Sequence, residues 1–237
     1  MFLFNDSYET FEMFGVSHIL YLFFFLLLVL LLYVFKEHLK RKRTWDKKLR
    51  WMTALFLLLS EWTFYTWSIL SNQGVYDLSL LPLGLCAMSL YLTVFTLLSN
   101  KEKAFKIVYP WAVTGGLMSL FVADMSFNFP HFRFFHFFLN HSLLILVMLY
   151  FIWVRGFIIV YKDILHSSLV LFIISMIVFG LNFIIDTNHL FLRALPDGVD
   201  TLFLWMGYPL WVFAFICLIF FLFNLLYLPF LKKRVYP

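Results

Sequence analysis

Seven stretches of this chain are apolar, almost free of charge and about as long as a bilayer is thick: residues 16–35, 51–70, 78–98, 105–122, 134–153, 165–185 and 202–228. An α-helix rises about 1.5 Å per residue, so roughly 20 residues cross the hydrocarbon layer. In that layer every backbone N–H and C=O needs a partner within the protein, which leaves helices and closed barrels as the only solutions. Barrel strands are about ten residues long and alternate in polarity. These runs are longer and do not alternate. The sequence therefore predicts an all-α, polytopic membrane helix bundle of seven transmembrane helices. With 63% hydrophobic and 13% charged residues, 33 of them Phe among 237 in all, the chain has too little polar surface for a soluble fold. Residues 1–237 read as a single integral membrane domain.

Charge placement orients the spans. Lys and Arg are retained on the cytoplasmic side of a membrane, whereas short acidic segments translocate readily. Eight of the basic residues lie between Lys36 and Arg50, and Lys101, Lys103, Lys106, Arg155, Lys162 and the Lys232-Lys233-Arg234 tail bring one side to sixteen of eighteen. Only Arg133 and Arg193 fall in the opposite connections. The alternation predicts an N-terminus outside and a cytoplasmic C-terminus, in a multi-pass protein of the plasma (cytoplasmic) membrane. The segment before the first run holds Asp6, Glu9 and Glu12 and no basic residue, the reverse of a signal-peptide n-region, so the first helix is expected to be retained. The net charge of +5 is thus a topology signal, and the Lys36 to Arg50 cluster reads as a stop-transfer and anionic-lipid anchor. The expected partners are membrane lipids and an unidentified membrane protein, with no nucleic acid.

Once the runs are oriented, the unusual polar residues collect in the outer half. His18 starts the first run, Pro82, Gly84 and Cys86 lie early in the third, Asp124 ends the fourth, and Asn182 and Asp186 close the sixth. Ionisable groups in a bilayer are costly enough to be candidates for function. On the fifth helix Arg133, His136 and Asn140 fall within about 60° of one another, and His141 points about 100° away from Asn140. An imidazole inside an apolar run needs a buried partner. Glu61 is the acidic residue nearest a bilayer midplane, either holding helices together or serving a site or proton relay. His18 either donates to a neighbouring loop or belongs to a site.

Cys86 and Cys217 both sit inside apolar runs, without disulfide or zinc spacing, so neither a disulfide nor a metal is expected. His131 and His136 flank Arg133, a cation that disfavours a metal between them. No phosphate-binding glycine loop or Gly-x-Ser-x-Gly elbow is present, and no cofactor is expected.

Several groups of residues together resemble a known family: Phe11, Phe14, Ser17 and His18; Leu81-Pro82-Leu83-Gly84-Leu85-Cys86; Asn128-Phe-Pro-His131-Phe-Arg133-Phe-Phe-His136 and on to His141; Thr187-Asn188-His189-Leu190-Phe191-Leu192; Gly207-Tyr208-Pro209-Leu210-Trp211. In this order they are similar to the bacterial YwaF-like membrane proteins, related to the transmembrane protein 164 family. The resemblance implies a compact helix bundle and, from the animal branch, fatty-acyl transfer on phospholipids by a cysteine nucleophile with a histidine. Carried onto this sequence, the cysteine is Cys86 and the histidine His141. The bacterial pattern reads Leu-Pro-Leu-His-Leu-Cys, and this chain has Gly84 in place of that histidine. Two expectations follow. The chain is an acyltransferase or lipid-modifying enzyme of the outer leaflet, with Asn182 or Asp186 orienting His141, and with Cys86 about eight residues into the third helix. Alternatively it is a non-catalytic partner subunit or lipid-binding scaffold. A channel or carrier fits less well, since Glu61 alone is charged near a helix middle.

Overall fold

The structure, a computed structural model, describes residues 10–72, 74–123, 125–195 and 204–231. Among these residues it is all-α. Seven helices have fifteen residues or more: α1 (Val16–Arg41), α2 (Arg43–Ser71), α3 (Leu85–Ser99), α4 (Glu102–Phe121), α5 (Phe132–Trp153), α6 (Tyr161–Ile184) and α7 (Leu210–Leu225). A single turn, α8 (Leu228–Leu231), follows. Five segments, α1, α4, α5, α6 and Leu210–Leu231, are long and apolar enough to cross a membrane. Of the other two, α3 is a shorter apolar helix, and α2 begins in charged sequence.

The helix ends depart from the apolar runs for local reasons. Lys and Arg are good helix formers, so α1 continues to Arg41 and α2 starts at Arg43, with Lys42 alone breaking the two. The expected third span from 78 is shortened: Leu78–Leu80 form a separate 3-10 turn, and α3 begins only at Leu85, capped by an extended Gly84. Pro82 has no N–H and disfavours α geometry at Leu81. Cys86 therefore lies in the first turn of α3, not eight residues inside a helix. Likewise α7 starts after Pro209 rather than near 202.

Helix α4 is the centre of the bundle. It buries 61% of its apolar span against 11% for α1, and it packs on α3, α5 and α6. The close approach is made by Gly115 and Gly116. A Cβ on Gly116 would stand 2.7 Å from Ile145 and 3.1 Å from the His141 carbonyl, and one on Gly115 would stand 3.1 Å from Cys86 Sγ. Small residues at helix contacts are the usual means of association where lipid and protein are equally apolar.

Contacts along the helices give their directions. Tyr21 meets Phe138 and Tyr33 meets Trp153, so α1 and α5 run in parallel. Asp46 meets Tyr150 while Ser60 meets Asn140, so α2 runs against α5. Tyr109 of α4 donates to the Leu226 carbonyl just past α7 at 3.1 Å. The bundle thus has two unlike ends. One gathers the Lys36 to Arg50 segment, Lys101, Lys103, Lys106, Arg155 and Lys162; here Lys106 pairs with Glu102 at 3.3 Å and Asp163 at 3.4 Å. The other gathers the polar residues singled out in the sequence. Outward faces are apolar along the helices, as at Phe23, Phe95 and Ile177, which suits contact with lipid.

Candidate functional site

A cavity of about 940 Å³ runs among α3, α4, α5, α6 and α7, with Cys86 and His141 towards the end opposite the basic residues and Ser168 and Phe223 nearer the basic end. Cys86 and His141 both line it, as do Gly84, Ser119 and Ser168, and most of the wall from α6 and α7 is apolar. Cys86 Sγ lies 3.7 Å from Ser119 Oγ. His141 Nδ1 donates to the carbonyl of Phe137, one turn back, at 2.6 Å. A carbonyl only accepts, so Nδ1 carries the imidazole proton and Nε2 keeps its lone pair. That is the tautomer a proton acceptor needs.

The second polar direction of α5 faces α2. Arg133 Nη1 donates to His136 Nδ1 at 3.0 Å. The other ring nitrogen lies 2.9 Å from the Asn140 amide and 3.9 Å from Glu61 Oε2. Ser60 Oγ donates to Asn140 Oδ1 at 2.8 Å. The Arg133 guanidinium and the Asn140 Nδ2 both only donate, and a neutral His136 has one accepting ring nitrogen, so it accepts from one of the two at a time, with Glu61 beside Nε2. Glu61 also accepts from Tyr65 and lies in the neighbourhood of Arg133, whose guanidinium carbon is 4.3 Å from the Phe64 ring centre. This network joins α2 to α5 and sets the rotation of α5. With Asn140 turned to α2, His141 turns to the cavity.

Other sequence candidates do not reach the cavity. His18 is fully buried, accepts from Phe14 N at 2.9 Å and donates from Nε2 to the Leu120 carbonyl at 2.7 Å. It clamps the start of α1 to the end of α4. Asn182 is taken up by the loop that follows α6: its Oδ1 accepts from Thr187 Oγ1 at 3.0 Å and His189 N at 2.9 Å, and its Nδ2 donates to the His189 carbonyl at 2.9 Å. Asp186 is 91% exposed at its side chain and paired with Arg193 at 2.8 Å. The orientation of His141 comes from Phe137, with Asn182 and Asp186 occupied elsewhere. His131 caps α5, accepting from Arg133 N at 3.1 Å, and stacks on Phe127. Asp124 and the Lys232-Lys233-Arg234 tail lie outside the described residues.

Three contributors were not singled out in the sequence. Gly115 and Ser119 on α4 sit against Cys86; the Gly-Gly pair was a visible signal for close helix approach. Asp46 is buried at the basic end, where it accepts from Tyr150 and pairs with Arg50 at 3.3 Å and Arg155 at 3.5 Å. Amid eight neighbouring cations, one acidic residue gave no signal in the sequence.

No curated protein and no solved structure matches the chain. A family model does, the TMEM164 family, over residues 13–227. The match covers α1 to α7 and includes Cys86, His141 and the polar network. This multi-pass membrane protein, with its several apolar helices, belongs to the TMEM164 family.

Proposed function

We propose that the protein crosses the plasma (cytoplasmic) membrane seven times, N-terminus outside and C-terminus in the cytoplasm, and transfers a fatty-acyl group from a phospholipid to a lipid or lipoprotein acceptor at the outer leaflet. The observation that carries this reading is the shared cavity: the thiol and an imidazole with its lone pair on Nε2 line one apolar space at the end away from the basic residues. Its α6 and α7 walls include Phe172, Met176, Phe213 and Phe220, all of them exposed rather than packed in the core. A lipid can therefore enter sideways, with its chain against these residues.

The chemistry balances with no cofactor. His141 Nε2 takes the thiol proton as Cys86 Sγ attacks the ester carbonyl of the donor. The tetrahedral adduct expels the lysolipid alkoxide, which takes the proton from His141, leaving an acyl thioester on Cys86. An acceptor hydroxyl or amine then gives its proton to His141 and attacks the thioester, and the thiolate recovers that proton. Gly115 keeps room beside Sγ, and Ser119 holds the thiol in place.

One observation favours a lipid-binding scaffold without chemistry. Gly84 stands where the YwaF-like pattern has histidine, yet a Cβ there meets nothing within 4 Å and the backbone φ is −74°. A side chain fits. The test is acyl exchange between labelled phospholipid and lysolipid in vesicles carrying the purified full chain. On the acyl-transfer reading the wild type turns over, Cys86→Ser forms no acyl-thioester, and His141→Ala is slower by roughly 10²- to 10⁴-fold. Variants as fast as wild type would sink the mechanism. An inert wild type beside an active Gly84→His variant would establish the scaffold reading.

A further inference from the structure

A second, smaller pocket of about 360 Å³ lies at the basic end, between the last two turns of α1 and the turn that ends α5. Lys36, Glu37 and Lys40 line it from α1, and Trp153, Arg155 and Gly156 from the other side. Its charge is unbalanced. Glu37 is taken by Lys40 at 2.7 Å, whereas Lys36 has an aromatic ring beneath it, its Nζ 3.4 Å from the Tyr33 centroid. Arg155 shares Asp46 with Arg50, and Tyr150 also donates to that carboxylate. One buried carboxylate thus serves two guanidiniums and a phenol. Arg155 Nε, moreover, is buried with no hydrogen-bond partner among the described residues. Such a donor is costly to leave unmade. Gly156, at φ +73°, has open space where a side chain would stand, so the turn leaves the pocket uncovered.

We propose that this pocket binds a phosphate group of net negative charge, held by Lys36 and Arg155 with Lys40 at its rim. A guanidinium and an ammonium converging on one small polar recess suit phosphate oxygens. Two sources share that chemistry: the headgroup of an anionic phospholipid in the adjoining leaflet, and a soluble phosphate. The site is at the opposite end of the bundle from Cys86 and His141, so it goes beyond acyl transfer and stands or falls separately. A general attraction of basic residues for anionic lipid is distinct from this, because it would depend on charge number and not on which lysines carry it.

The experiment titrates the purified full chain in neutral detergent with dioleoyl phosphatidylglycerol, dioleoyl phosphatidylcholine or sodium phosphate. It reads the thermal unfolding midpoint and the lipid retained in native mass spectrometry. The wild type should be stabilised by phosphatidylglycerol and retain it in preference to phosphatidylcholine. Lys36→Gln with Lys40→Gln should weaken that preference by roughly tenfold. Lys47→Gln with Lys48→Gln, an equal charge change at exposed positions outside the pocket, should leave it intact. Arg155→Gln should behave as the pocket variant does. Equal stabilisation by sodium phosphate at matched occupancy, lost in the same variants, would make the ligand a soluble phosphate at this site. Equal losses in the two lysine pairs, or an unchanged preference in the Lys36 and Lys40 variant, would overturn the proposal.

Discussion

His141 owes its tautomer to a backbone carbonyl one turn back, and Asn182 owes its burial to a loop it holds itself. Both are polar side chains near the same end of an apolar bundle, but their partners give them different work. Asn182 satisfies donors and acceptors that the chain exposes as it leaves α6, whereas Asp186, four residues on, makes an exposed pair with Arg193. Exposed ion pairs contribute little, while a buried amide with several partners leaves each of them unsatisfied when it is removed. Asn182→Ala should therefore cost about 2–4 kcal/mol and Asp186→Ala less than about 1 kcal/mol. Unfolding of the two variants in mixed micelles would measure the difference. Equal losses would mean that Asn182 does not hold this loop.

At the scale of the element, α4 is where packing decides geometry. Its two faces at Gly115 and Gly116 touch α3 at Cys86 and α5 at the His141 backbone, so one helix sets the spacing of the two candidate reactive groups. The two glycines differ in what they tolerate. At Gly116 an added methyl meets Ile145 at 2.7 Å, and at Gly180 on α6 it meets nothing within 4 Å. Gly116→Ala should destabilise the fold by about 1–3 kcal/mol, since overpacking forces backbone shifts. Gly180→Ala should be neutral or slightly stabilising, because alanine is the better helix former. Thermal unfolding of both variants tests this. A neutral Gly116→Ala would show that α4 and α5 can part without cost.

For the whole molecule, the separation of its ends is the feature from which topology follows. The basic end carries Lys36 to Arg50, Lys101 to Lys106, Arg155 and Lys162, and the opposite end carries Cys86, His141 and the polar network. With the proposed orientation, a cysteine placed at exposed Val75 should react with a membrane-impermeant maleimide in intact cells. One placed at exposed Lys47 should react only after permeabilisation. The background is a Cys86→Ser, Cys217→Ser chain, scored by labelling alone. The reverse pattern would invert the protein, and with it the leaflet towards which Cys86 and His141 lie.

The amino-acid sequence by itself determined that the chain is helical and membrane-embedded, because the length of apolar runs and the demand for internal backbone hydrogen bonding leave no other choice. It also determined which connections share a side, since the charges alternate with the runs. Short-range breaks such as Pro82 were visible, though their effect on the start of α3 became definite only with Gly84 extended as its cap. Which polar residues meet was decided by tertiary structure. His18 reaches Leu120, 102 positions away; Asn140 turns to Ser60; Asn182 turns back on its own loop; Asp46 gathers Arg50 and Arg155. Helices apolar on nearly every side carry no amphipathic stripe to show which face turns inward. Their rotations and neighbours follow from close fits such as Gly116 on Ile145, which exist only when two helices have already come together.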